Sequence, residues 1–185
     1  MKTLKDIKMQ TLALIEELNP DSVLLTDDPD IQAKLHYVIN QVMFELARMK
    51  KIPMYLELDV SEGDLVDFAM IRKKCGKEVY QLDKISGATH VFKANGTIVK
   101  FLEEGTAEID FFVYPTAINA ETTDAYEFEL SQDCLEILPY GVAADLLKSD
   151  VSAEYGSVYA TRYENMLQRL DPRNHLTSVV LEGGW

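Results

Sequence analysis

The side chains that could carry acid–base, nucleophilic or metal chemistry in this chain are three histidines, two cysteines and a few clusters of carboxylates. His36, His90 and His175 fall in three different regions, without the HxxxH or HExxH spacing that puts two imidazoles on one metal. Cys75 and Cys134 have no histidine at a familiar offset for a Cys–His nucleophile, and they read as reduced, packed thiols. Asp27, Asp28 and Asp30 of "TDDPD" lack the spaced ligands and distant glutamate of a calcium loop. Helix capping by Asp28 accounts for them better. Glu103, Glu104, Glu108 and Asp110 offer paired carboxylates on a strand pattern, and Arg72, Lys73, Lys74 and Lys77 form a short basic run that reads as a solvated charge run. There is no GxGxxG, GxxxxGK[ST] or GxSxG motif. The expectation is a protein without catalytic residues, bound cofactor or metal.

The more unusual pattern is apolar. Tyr155, Tyr159 and Tyr163, with Met166, Leu167 and Leu170, make a stripe at helical spacing. Stripes of this kind ordinarily form core, but tyrosine also suits a subunit interface, where one end is dry and the other wet. Trp185, following Gly183-Gly184, has little local structure to bury it and reads as frayed or docked on another chain. Tyr155, Tyr159, Tyr163 and Trp185 are therefore the candidate interface residues.

Three kinds of element must position these groups. Residues 1–53 read as a helix pair: a first helix ending at Asn19-Pro20, and a second opened by Asp28-Pro29 with Ile31, Leu35, Val38, Ile39, Val42, Leu46 and Met49 on one stripe. Residues 54–130 change period. "MYLELDV", "KEVYQLD", "TAEIDFFVYP" and "AYEFELS" read as strands, and "THVFKANGTIVKF" as a hairpin about Asn95-Gly96. Residues 131–172 return to helix, and 173–185 form a strand-like tail. The C-terminal helices are expected to pack on the N-terminal pair, with the small antiparallel β domain inserted between them. The fold class is α+β. Within "ILPYGVAADLLKSD", Pro139 and Gly141 interrupt an otherwise good helix. They place a short turn from Ser131 before a fresh helix opening at Pro139, with Gly141 admitting a close neighbour.

With 47% hydrophobic and 26% charged residues, the 185-residue chain has enough apolar content for one or two small domains. No apolar run is long enough to span a membrane, and the N-terminal residues do not read as a secretory signal. The net charge of −13 is graded: residues 1–50 hold 8 acidic and 6 basic groups, 51–120 hold 11 and 8, and 121–185 hold 12 and 4. No segment offers the basic face that tight duplex binding needs. Either the acids solubilise the surface, or they line a surface that DNA passes without sticking.

The stretch "ELSQDCLEILPYGVAADLLKSD", Glu129 to Asp150, followed by a helix with Tyr163-Glu164 before Leu167, resembles the head–tail connector (adaptor, or head-completion) proteins of tailed bacteriophages. So does the exit of the second helix, Lys50-Lys51-Ile52-Pro53. The resemblance covers the two helical ends, about half of the chain. It implies a structural virion protein, made in the bacterial host cytoplasm, that forms a ring, usually dodecameric, under the portal. A tail or further head-completion protein docks on that ring, and DNA passes through without tight binding. A tail-terminator or tail-completion protein, β-dominated and without helical ends, and a non-viral small ligand-binding domain are the alternative readings.

Overall fold

The computed structural model describes residues 2–148 and 154–170, and over them the fold is α+β, with five α-helices and two three-stranded antiparallel sheets. The chain divides into a helical unit, Met1–Lys50 with Ala117–Trp185, and a β unit, Lys51–Thr116. The β unit is shorter than the block of period-two sequence, because residues 117–130 fall with the helices.

In the helical unit, α1 (Leu4–Leu14) starts with a capping box. The Thr3 hydroxyl accepts from the Asp6 N–H, and the Asp6 carboxylate accepts from the Thr3 N–H at 2.9 Å. The helix stops at Leu14, well before Pro20. Glu16 takes a left-handed conformation, φ 63°, and the Glu17 N–H bonds the Leu12 carbonyl at 2.9 Å. That is a Schellman ending, usually made by glycine, so the proline is not what terminates this helix. Helix α2 (Pro29–Met49) begins as expected, with Asp28 accepting from the N–H groups of Asp30 and Ile31 and Pro29 in the first turn.

The C-terminal helices are α4 (Gln132–Leu147) and α5 (Glu154–Leu170). Helix α4 runs unbroken through Pro139, which corrects the expectation of a short turn and a fresh helix there. A proline inside a helix leaves the carbonyl four residues back without its donor. Here that carbonyl belongs to Leu135, and the Lys2 ammonium donates to it at 3.3 Å. An external donor thus replaces the missing N–H.

Cys134, Leu135, Ile137, Leu138, Val142 and Ala143 are buried along α4, so its apolar surface is too wide for a single stripe. A helix of that kind sits in the middle of its unit. Helices α1, α2 and α5 all pack on α4. The expected α1–α2 pair is accordingly replaced by two helices that each pack chiefly on α4. Gly141 is what permits the closest approach: a Cβ there would lie 2.6 Å from Val42 Cγ1 and 2.7 Å from Tyr163 Cε2.

Residues 125–131, expected as a strand, form only one bridge, Thr3 with Glu127. The burial alternation is nevertheless present, with Phe128 and Leu130 buried. The segment's carbonyls serve α1 instead. Tyr126 and Asp124 accept from the N–H groups of Leu4 and Lys5, two donors that a helix start leaves open. Asn40 holds the same segment further back, donating to the Ile118 carbonyl at 2.7 Å and accepting from its N–H at 2.8 Å.

The β unit holds β1 (Ile52–Val60), β2 (Leu65–Asp67), α3 (Phe68–Cys75), β3 (Val79–Ser86), β4 (His90–Lys93), β5 (Ile98–Phe101) and β6 (Gly105–Val113). The sheets are ordered β1-β6-β3 and β2-β5-β4, all antiparallel. One face of each sheet enters a shared core that includes Val66, Phe101, Ile109, Phe111 and Val113. The expected hairpin is β4–β5, closed by a helical turn over Ala94–Gly96 with Gly96 at φ 85°. The stretch "SEGDLVDFAMIRKKCGKE", which has no clear period, supplies β2 and α3. Asp67 caps α3 at the Met70 N–H, and Gly76 ends it in a left-handed conformation.

Candidate functional site

Helix α5 gathers the tyrosine stripe of the helical unit, and each described tyrosine has a partner inside the chain. The Tyr159 hydroxyl donates to the Leu14 carbonyl, one of those left open at the end of α1. Tyr163 is buried against Gly141, and its hydroxyl donates to Glu45 Oε2 on α2 at 2.7 Å. Burial, and then the Glu45 hydrogen bond, push this phenol far above its usual range. Tyr163 thus joins three helices from within. Tyr155 is a backbone position of α5 whose side chain lies outside the described residues, as does Trp185. Arg162 lies over the Tyr140 ring, 4.3 Å from its centre, a second tie between α5 and α4.

Where α2, α4 and α5 meet there is an open groove of about 550 Å³. Gln41, Glu45, Asp145, Lys148, Glu164 and Leu167 are among its lining residues. Lys148 reaches Asp145 at 3.9 Å. Glu45, Asp145 and Glu164 make its lining acidic, with Glu45 bonded by the Tyr163 hydroxyl and Asp145 near Lys148.

The two described histidines belong to different units. His36 is half-buried on α2, and burial, then the Lys8 charge, hold its imidazole below the ordinary value. His90 sits in β4, 3.0 Å from the Ala88 carbonyl and edge-on to Phe92. His175 lies outside the described residues. Cys134 is buried, and that burial raises its thiol, while Cys75 is half-buried; both are free. No group of three or more His, Cys, Asp or Glu among the described residues is placed to hold a metal ion.

The carboxylate clusters have local work. Asp28 caps α2, and Asp27 accepts from Asn19 at 2.6 Å. Glu103 takes the hydroxyl and N–H of Thr89, which hold its carboxyl below the usual range. Glu108 accepts from Ser86 at 3.3 Å, and Asp110 stands opposite Lys84 in the sheet register. In the basic run, Arg72 pairs with Glu78 at 2.7 Å. The arrangement can pack, cap and present charge.

Two residues that period and motif do not mark hold the helical unit together, Lys2 and Asn40. Lys2 has no visible signal in the sequence. Asn40 interrupts the α2 stripe as a polar residue beside Ile39, which is the only hint. Lys50, at the end of α2, pairs with Asp133 in the first turn of α4 at 2.9 Å. No family model matches the chain, and no curated protein matches it. Among the described residues, no helix is long and apolar enough to cross a membrane.

Proposed function

We propose that this chain is a structural component of a tailed-phage virion, a head–tail connector that forms a ring beneath the portal and lets DNA pass to the tail. One observation carries the reading: the two stretches that resemble the connector family meet in the folded helical unit. The "LPYGVAADLL" run lies in the central helix α4, with Gly141 against Val42 of α2, and the Lys50 exit of α2 is paired to Asp133 at the start of α4. The chain thus closes a helical unit from its two ends and inserts a β unit between them, which is the layout the resemblance implies.

The charge fits the task. A net −13 with no net-basic segment suits a passage that DNA must traverse without being held. On this reading the portal is the upper partner, a tail or further completion protein the lower one, and self-association closes the ring. The chain has no catalytic role and needs no cofactor. Helices at both ends favour a connector over a β-dominated tail terminator.

Deleting the gene from its phage tests this. DNA-filled heads without tails, restored to infectious particles by the gene supplied in trans, are the expected result. Normal tailed virions from the deletion strain would remove the proposal.

A further inference from the structure

The two outer faces of the β unit are opposite in character. On the β1-β6-β3 sheet the register places Glu57 opposite Glu108, Tyr55 opposite Asp110, and Asp59 opposite Thr106. These residues alternate with the buried Leu58, Ala107 and Ile109, so they share the outward face, where Tyr55 is 71% exposed. On the β2-β5-β4 sheet the outward ranks are Leu65, Lys100 and Val91, then Asp67, Ile98 and Lys93, alternating with the buried Val66 and Val99. Leu65 is 58% and Val91 40% exposed. Asp67 is occupied as the α3 cap. One face therefore presents Tyr55 and Phe112 among four carboxylates, with Lys84 opposite Asp110 and Lys51 over the Phe112 ring as its two cations. The other presents aliphatic side chains with two lysines.

We infer that these faces dock on each other between successive copies of the chain, the lysine-bearing β2-β5-β4 face of one copy on the carboxylate-bearing β1-β6-β3 face of the next. Three observations favour a second copy as the occupant. The faces are complementary in net charge, four carboxylates against two lysines on one and two lysines against Asp67 on the other. Each carries apolar groups, Tyr55 and Phe112 on one and Leu65, Val91 and Ile98 on the other. Glu57 and Glu108 are like charges directly opposite in the ladder, an arrangement unfavourable within one chain that a neighbour's lysine relieves. Among the described residues no ion pair uses Glu57, Lys93 or Lys100.

Because the two faces differ, the contact is head-to-tail, the type that repeats rather than stopping at a dimer, and that closes into a ring where the rotation between copies allows it. The inference rests on the connector reading for the ring it would build, while the contact itself follows from the faces. It is a small contact. A three-stranded face four residues long, at about 4.8 Å between strands and about 3.3 Å per residue, covers roughly 200 Å². A stable interface needs about 800 Å² from each partner. Association of free chains is therefore weak and concentration-dependent, and a platform that holds many copies together would strengthen it.

Sedimentation equilibrium of the full chain up to about 1 mM, at about 0.05 M and about 0.5 M salt, reads this directly. The wild type is expected to associate beyond dimer, and less at the higher salt. K93E/K100E and E57K/E108K are each expected to weaken association about tenfold or more. An equimolar mixture of the two variants is expected to recover it, because each reversed face then meets its complement. Recovery in the mixture also shows that both variants are folded. A wild type that stays monomeric throughout, or variants that associate as the wild type does, would overturn the contact. Binding of the same variants to purified portal separates this result from the connector reading, since a variant can lose the contact and still bind portal.

Discussion

A proline in a helix interior removes one donor and strands one acceptor, and in α4 the stranded Leu135 carbonyl is met by Lys2 from across the unit. A hydrogen bond of this kind contributes about 1 kcal/mol net. Lys2→Met should therefore destabilise the wild-type chain by about that much, plus whatever its bond to Gln10 contributes. In a Pro139→Ala background the backbone N–H is restored and takes the carbonyl, so the penalty should shrink. A double-mutant cycle by urea unfolding measures the difference, about 0.5–1 kcal/mol of coupling, from which the Gln10 contribution cancels. His36 gives a second prediction at this scale. Its folded imidazole titrates below 6.5, chiefly through burial, with the Lys8 charge adding and Asp124 opposing. Well above pH 6.5 it is neutral folded or unfolded and has little effect on stability. As pH falls below that, the unfolded chain takes the proton first, and stability drops until the folded imidazole also protonates. Unfolding free energies at pH 7 and pH 5 should differ more for the wild type than for His36→Gln.

At the scale of elements, helix α4 decides how the helical unit is assembled. Its glycine is the point of contact with Val42 and Tyr163, and a methyl group there has no room. Gly141→Ala should lower stability by up to about 2 kcal/mol, because an overpacking cost of about 1–3 kcal/mol is only partly offset by alanine's helix-propensity gain of about 1 kcal/mol. Thermal unfolding checks the sign. Much of this was readable in advance. The α2 stripe, its Asp28-Pro29 start, the main strands and the close approach at Gly141 all follow from period and backbone chemistry. What was not readable depended on long-range partners. Pro139 looks like a helix start because its replacement donor is Lys2, 133 residues in sequence from the Leu135 carbonyl it serves. "AYEFELS" has the alternation of a strand, but its carbonyls go to the open N–H groups of α1. Asn19-Pro20 looks like a stop, yet Glu16 ends α1 first by adopting a conformation its residue type seldom takes.

At the scale of the whole molecule, the chain is two units, each with its own core. Residues 51–116 are in the size range where a single core is just sufficient. Expressed alone, that fragment should fold cooperatively, with dispersed amide resonances and a melting point below that of the full chain. A featureless spectrum would mean that the core of the β unit is not self-sufficient. The tyrosine stripe shows why a functional surface is harder to read than a fold. Tyr159 and Tyr163 have the spacing and chemistry of interface residues, and the same properties let them close the helical unit from inside, with their hydroxyls on Leu14 and Glu45. The outward residues of the β unit, by contrast, sit at alternate positions of "MYLELDV" and "TAEIDFFV" and could be picked out by period alone, though not which neighbour they face. The most direct test of the connector proposal is to mix the purified chain with the portal ring of its own phage and measure the mass of the product. A complex larger than the portal alone, with this chain in a ring on one end, is the predicted result. A portal ring of unchanged mass, with this chain left unbound, would contradict it.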